Sequence, residues 1–233
     1  MQVITSTNSR IWFDPELLGD DPEASFDPAY WRGKSAITGQ ASGRGTTYFI
    51  DTPLLPLALR HYWRGGLLGR VVKDQYWFTG WDKTRCALEM GLLKTLAEGG
   101  VRVPRPVAAR AVRCGLFYRA DILTEKVPGA RDLVAVLQQR SLSGDEWQAI
   151  GRMIRQMHDL GVCHTDLNIH NILLDGEGLC WLIDFDKCYR QAGDSWKQGN
   201  LDRLLRSLRK EVGRYGIQWQ EVEWTLLLAG YQG

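Results

Sequence analysis

His164-Thr165-Asp166-Leu167-Asn168-Ile169-His170-Asn171-Ile172-Leu173-Leu174 has the form H-x-D-x-x-x-x-N and runs directly into an apolar strand. Eighteen positions after Asp166 it is answered by Ile183-Asp184-Phe185-Asp186, an apolar strand that ends in an acid. Phosphoryl transfer needs this set of groups: one carboxylate facing the attacking hydroxyl, with an amide and a second carboxylate to hold metal ions on the nucleotide phosphates. Asp166 fits the first role, Asn171 and Asp184 the second. A loop Asp taken alone is most often a cap or a turn former. The order and spacing of all three residues favour the catalytic reading. His164 reads as structural, holding the loop with Phe185 as its neighbour. Asp186 divides evenly between an extra metal or substrate contact and an anchoring carboxylate.

Working outward, Val162-Cys163 is a short strand leading into this loop. Ile172–Leu174, the turn 175–178 and Leu179–Ile183 form a hairpin. Ser143-Gly144-Asp145-Glu146 is a capping box, opening a helix with Trp147, Ile150, Ile154, Met157 and Leu160 on its core face. Two further helices are expected within 201–209 and 219–229.

Upstream, residues 82–98 read as a helix whose inward stripe holds Arg85, Glu89, Leu92, Leu93 and Leu96, with Gly99-Gly100 as its stop. Strands are expected at 57–62, 107–113 and 117–124, and a glycine-containing hairpin at 37–50. The first half therefore reads β-β-β-α-β-β. Residues 1–34, broken by Asp14-Pro15, Asp20-Asp21-Pro22 and Asp27-Pro28, read as an acidic, turn-rich N-terminal arm. The expected plan is α+β and two-lobed: an N-lobe at 35–124 with an antiparallel sheet and one helix, a hinge at 125–129, and a reduced, mainly helical C-lobe at 130–233.

Three weaker features belong to the same chemistry. Gly43 and Gly45, with Gly39, could let backbone N–H groups approach phosphates, although a glycine hairpin is more often only a hairpin. Arg60 ends an apolar strand where a phosphate-holding cation is needed. Glu89, costly on an inward stripe unless paired, is its favoured partner, and Arg85 one turn earlier is the alternative. Glu125 and Val127, at the lobe junction, would offer backbone groups to adenine.

Net charge is only +2, so the whole-molecule field gives little reason to expect nucleic-acid binding. Five cysteines without zinc spacing suggest a reducing compartment, with Cys86, Cys163 and Cys180 in core contexts. Neither a secretory leader nor a membrane-spanning run is expected. A basic, aromatic stretch runs from Arg60-His61-Tyr62-Trp63-Arg64-Gly65-Gly66 through Arg70, Lys73, Tyr76-Trp77-Phe78, Trp81, Lys83 and Arg85. It suits an anionic lipid surface, or ordinary packing with a charged rim; nucleic acid is the least favoured partner.

With these residues placed, the chain resembles the protein-kinase-like superfamily over roughly residues 35–230. More narrowly it is similar to the bacterial Kdo kinases of the lipopolysaccharide core kinase family. The carrying segments are Leu59–Gly66, Thr84-Arg85 with Glu89, Val103-Pro104-Arg105-Pro106, the 164–174 loop and Ile183–Lys187. The resemblance implies ATP and Mg2+ as cofactors and the sugar 3-deoxy-D-manno-octulosonic acid (Kdo) on a lipid A precursor as acceptor. It also implies a peripheral position at the cytoplasmic face of the bacterial inner membrane, with no obligatory protein partner. A kinase of another small molecule or of a lipopolysaccharide heptose, and a kinase-like scaffold without turnover, are the alternatives. Arg60 stands where protein kinases carry Lys, and Thr165 replaces an Arg that often pairs with a phosphorylated loop. The forty-nine residues after Asp184 are too few for a full peptide-docking lobe, which disfavours a protein substrate.

Overall fold

The computed structural model describes residues 1–19, 21–42, 45–65 and 73–233. They form two compact units, one of residues 1–91 and 105–126, the other of 92–104 and 127–233.

The first unit is built on an antiparallel sheet of β1 (Gln2–Thr5), β2 (Ser9–Phe13), β3 (Ile37–Ser42), β4 (Thr46–Ile50), β5 (Leu57–His61), β6 (Tyr76–Trp77), β7 (Pro106–Cys114) and β8 (Phe117–Glu125). Their order is β1-β2-β7-β8-β5-β4-β3, with β6 added beside the start of β8. A short helix, α1 (Pro28–Gly33), precedes β3, and α2 (Arg85–Glu98) lies between β6 and β7. The central strand β7 buries Val107, Ala108, Ala109 and Ala111. Such a run of small apolar residues suits a strand covered on both faces.

The first 34 residues are not an arm. β2 pairs with β7 from Ser9↔Val112 to Phe13↔Ala108, and β1 pairs with β2. Ile11 and Phe13 alternate with Trp12, so one face of β2 enters a core shared with Leu18, Phe26, Trp31, Ile50, Leu57, Leu59 and Leu123. The Asp-Pro turns join these short elements. Asp27 caps α1 by accepting from the Ala29 N–H at 2.8 Å, and the Trp31 indole donates to the Ser25 carbonyl at 2.7 Å.

Helix α2 buries Cys86, Glu89, Met90, Leu92, Leu93 and Leu96. It ends at Gly99-Gly100, where Gly100 takes φ +81° and Gly99 lies flush against the Leu160 side chain.

The second unit begins, after the end of α2, with β9 (Arg131–Asp132) and α3 (Leu133–Leu137). Then come α4 (Gly144–Asp159), β10 (Val162–Cys163), β11 (Ile172–Leu174), β12 (Cys180–Leu182), β13 (Tyr189–Arg190), α5 (Lys197–Tyr215) and α6 (Glu221–Gln232). The Ser143 capping box forms with both of its bonds. Trp147, Ile150, Ile154 and Met157 are buried. Asp175 closes the β11–β12 turn by accepting from the N–H groups of Glu177 and Leu179, both at 2.9 Å. Helix α5 extends well past the expected 201–209, because its charged flanks continue the period set by the buried Leu201, Leu204 and Leu208.

Helices α4 and α6 touch backbone to backbone. A Cβ on Gly151 would overlap the Leu227 carbonyl and the Tyr231 N–H nitrogen, and one on Gly230 would overlap the Gln148 backbone. Cys86, Cys163, Cys180 and Cys188 are buried and reduced. Among the described residues, no helix is long and apolar enough to cross a membrane.

Candidate active site

In the second unit the loop after β10 is held from within by its own histidine. The Asp166 N–H donates to His164 Nδ1 at 3.2 Å, so the ring proton sits on Nε2 and is donated to the Ile183 carbonyl at 3.0 Å. Burial pushes the His164 pKa down, which keeps the ring neutral as this pattern requires. Its ring lies 4.9 Å from that of Phe185. His164 is therefore a brace.

A single turn of 3-10 helix, Ile169–Asn171, then brings Asn171 back beneath Asp166. The Asn171 side-chain N–H donates to the Asp166 carbonyl at 2.9 Å, and Asn168 Nδ2 adds a second bond to the same oxygen at 3.0 Å. The Asn171 carbonyl accepts from the Ile183 N–H at 3.0 Å, which ties in the residue before Asp184. Asp166, Asn171 and Asp184 are thus gathered by one hydrogen-bonded ring of loop residues. The Asp166 carboxylate is half exposed, whereas Asn171 is buried with its nitrogen committed, so oxygen is the atom its amide presents. Asp184 has φ +63°, a left-handed conformation uncommon outside glycine and found where a side chain must be aimed.

The loop is anchored to the helices behind it. Asn200 Oδ1 on α5 accepts from the His164 N–H at 3.1 Å and from His158 Nε2 at 3.3 Å. Since that amide oxygen can only accept, His158 carries its proton on Nε2, and the Tyr231 hydroxyl donates to Nδ1 at 2.8 Å. Burial, reinforced by nearby Lys197, pushes the His158 pKa down to about 4 from 6.5. A histidine depressed in the folded state leaves stability intact above pH 6.5 and removes it as pH falls toward 4, by roughly 3 kcal/mol at most. Thermal midpoints should therefore drop between pH 6.5 and 5, before most carboxylates titrate. A flat profile there, or one unchanged in His158→Asn, would contradict this.

In the first unit, Arg60 lies on β5 opposite Thr47 and Ile122. Its Nη2 contacts both oxygens of the buried Glu89, at 2.5 and 2.7 Å. The expected Arg60–Glu89 pair is formed. The fully buried Tyr62 hydroxyl donates to Glu89 Oε2 at 2.6 Å, and the Arg60 guanidinium stacks on its ring at 4.8 Å. Tyr62 appears in the sequence as part of the R-H-Y string, and alternation alone would have turned it with Arg60 toward α2. Gly45 lies against the Trp63 indole with no room for a side chain. Gly43 lies outside the described residues, as do Gly66 and Arg70 of the basic stretch. Glu125 closes β8, its N–H donating to the Arg105 carbonyl at 2.8 Å, and Val127 is buried as the second unit begins.

On the opposite face of β5, His61 Nδ1 lies 2.7 Å from Asp121 and Nε2 3.3 Å from Asp74. Burial would lower this ring's pKa, but the two carboxylates outweigh it and raise it. Part of the basic, aromatic stretch is thus packing: Tyr62 and Tyr76 are buried, and Arg85 stacks on Tyr76 at 4.7 Å. Another part faces solvent, with Trp77 57% exposed; Leu116, in the turn between β7 and β8, is 61% exposed.

Among the described residues no three His, Cys, Asp or Glu side chains gather into a metal cage. An Asn oxygen and one or two carboxylates still fit magnesium, which takes few protein oxygens and completes its shell with water and phosphate.

An antiparallel sheet carrying the Arg60–Glu89 pair, followed by a helical unit bearing this loop, is the plan of a protein-kinase-like phosphotransferase. Sequence comparison narrows the class. Residues 28–231 match the lipopolysaccharide kinase (Kdo/WaaP) family, and the chain belongs to that family. It is 57% identical over 232 residues to a 3-deoxy-D-manno-octulosonic acid kinase of Photobacterium profundum, covering 100% of this chain and 98% of that protein. Proteins of the same description from Vibrio cholerae serotype O1 and Haemophilus influenzae (strain 86-028NP) are 52% and 50% identical. The first match covers 100% of this chain and 98% of the relative, the second 99% of each.

Proposed function

We propose that this chain is an ATP- and Mg2+-dependent kinase that phosphorylates a hydroxyl of Kdo carried on a lipid A precursor. The observation that carries the reading is the hydrogen-bonded ring uniting Asp166, Asn171 and the start of Asp184, in a chain whose relatives match it end to end. In this reading Asp166 orients the acceptor hydroxyl and takes its proton as the acceptor oxygen bonds to the γ-phosphorus of ATP and the bond from that phosphorus to ADP breaks, ADP leaving. The Asn171 oxygen and the Asp184 carboxylate hold magnesium, which when bound neutralises charge on the phosphates. Arg60, steadied by Glu89 and Tyr62, and the backbone N–H groups of Gly43 and Gly45 hold phosphate oxygens, while the Glu125 and Val127 backbone meets adenine. The test is phosphate transfer from labelled ATP, with magnesium, to a Kdo-terminated lipid A precursor, read by mass. One added phosphoryl group on the Kdo is the expected product. No transfer, or transfer only to another sugar, would refute the assignment.

The same reading puts the protein at the cytoplasmic face of the inner membrane as a peripheral protein. Trp77 and Leu116 are both exposed at the end of the sheet where β6 meets the start of β8, and the Phe78 N–H donates to the Leu116 carbonyl there at 2.9 Å. Arg113 stacks on Phe78 at 4.9 Å beside them. Exposed apolar side chains next to cations suit an anionic bilayer. Co-sedimentation with anionic but not neutral vesicles is expected, and should be lost on replacing Trp77 and Leu116 by serine. Binding indifferent to lipid charge and to both residues would remove this surface.

A further inference from the structure

We infer that Arg203 binds the carboxylate of the acceptor and is the residue that makes this kinase selective for a sugar acid. The inference rests on the reading above that the acceptor is Kdo. Among the described residues, Arg203 is the one cation within 4.0 Å of the Asp166 carboxylate. The loop itself, from His164 to Leu174, carries neither Lys nor Arg. An acidic acceptor with its hydroxyl on Asp166 would otherwise bring a second negative charge beside the first, with no side-chain cation of the described residues within 4.0 Å of that carboxylate to offset it.

Helix α5 fixes where Arg203 stands. Asn200, one turn earlier, accepts the His164 N–H, and Ser207, one turn later, accepts the Ile169 N–H at 3.2 Å. Positions 200, 203 and 207 share a helix face, so both ends of the loop are fastened to the face that carries Arg203. Leu201, Leu204 and Leu208 are buried and stop the helix from turning.

The contact with Asp166 is loose. At 4.0 Å, with the two side chains 48% and 54% exposed, it adds little to folding. The guanidinium can therefore turn its planar fork onto a carboxylate and make two charge-assisted hydrogen bonds. A hydroxyl and a carboxylate on one sugar ring are a few bonds apart, the spacing that Asp166 and Arg203 present together.

The experiment measures transfer from ATP to a Kdo-terminated acceptor and to the same acceptor with its carboxylate converted to the methyl ester. Wild-type protein should prefer the acid by about 10–100-fold in kcat/KM. Arg203→Gln should abolish that preference while leaving the KM for ATP unchanged, and Arg203→Lys should restore part of it. Equal losses with acid and ester would overturn the inference, assigning Arg203 to Asp166 or to the transferred phosphate. Unimpaired transfer to the acid by Arg203→Gln would overturn it as well. Wild-type protein inactive on both acceptors would instead bring down the Kdo reading, and the inference with it.

Discussion

Asp166→Ala is expected to lower turnover roughly 10²–10⁴-fold, the span of a positioned acid/base group, without changing the melting temperature. The two parts of this expectation come from different atoms. Everything that shapes the loop uses the Asp166 backbone: its N–H donates to His164, and its carbonyl accepts from Asn168 and Asn171. Alanine keeps all three bonds. The carboxylate is half exposed and, among the described residues, has only its long approach to Arg203, so its removal leaves none of their buried groups unsatisfied. Steady-state kinetics and a thermal scan on one preparation separate the two effects. Near-normal turnover would remove Asp166 from the mechanism; a large fall in the melting temperature would mean that its side chain holds the loop.

The largest stability effect is expected at Gly151. Glycine to alanine within a helix ordinarily gains up to about 1 kcal/mol, because glycine loses more backbone freedom on folding. Here the sign reverses. The added methyl would overlap the Leu227 carbonyl and the Tyr231 nitrogen, backbone atoms of α6 that no rotamer change can move. The helices must separate, and Gly230 on the facing side would resist any compensating slide, since it rests on the Gln148 backbone. Overpacking of side chains costs about 1–3 kcal/mol, and backbone contact puts Gly151→Ala at the upper end or beyond. For a chain of this size that is a fall of roughly 5–12 °C in melting temperature. Gly213→Ala, at an exposed α5 position with no neighbour within 4 Å, is the control and should be neutral to stabilising. If the two variants melt alike, the α4–α6 contact is soft and the close approach has no energetic weight.

What could be read from the sequence was local. The 164–174 loop, the hairpin after it, the Ser143 cap and the α4 stripe are each specified within a dozen residues. The two N-terminal strands escaped because their partner is distant: β2 finds its register on β7, about a hundred residues on. β1 is exposed along its length and shows no alternation to detect. Arg203 and Asn200 were missed for a related reason. They belong to no motif, and Asn200 lies on the part of α5 that extends beyond the expected 201–209. Counting the helical period outward from Leu204 would have put positions 200, 203 and 207 on one face, though not that the face meets Asp166. Glu89 was legible since an acid on an inward stripe demands a partner; that Tyr62 would supply a second one was not.

The bond from Asn171 to the Asp166 carbonyl gives a reason for the amide at that position. Either oxygen of a carboxylate could serve magnesium as well as an amide oxygen does. Aspartate, however, has no N–H to give, and at position 171 it would set an anionic oxygen against the carbonyl it now satisfies. In the proposed mechanism the side chain has two ends with opposite duties, donor toward the loop and acceptor toward the metal it would hold. A nearly isosteric exchange would keep the second duty and turn the first into repulsion, displacing Asp166 without touching it.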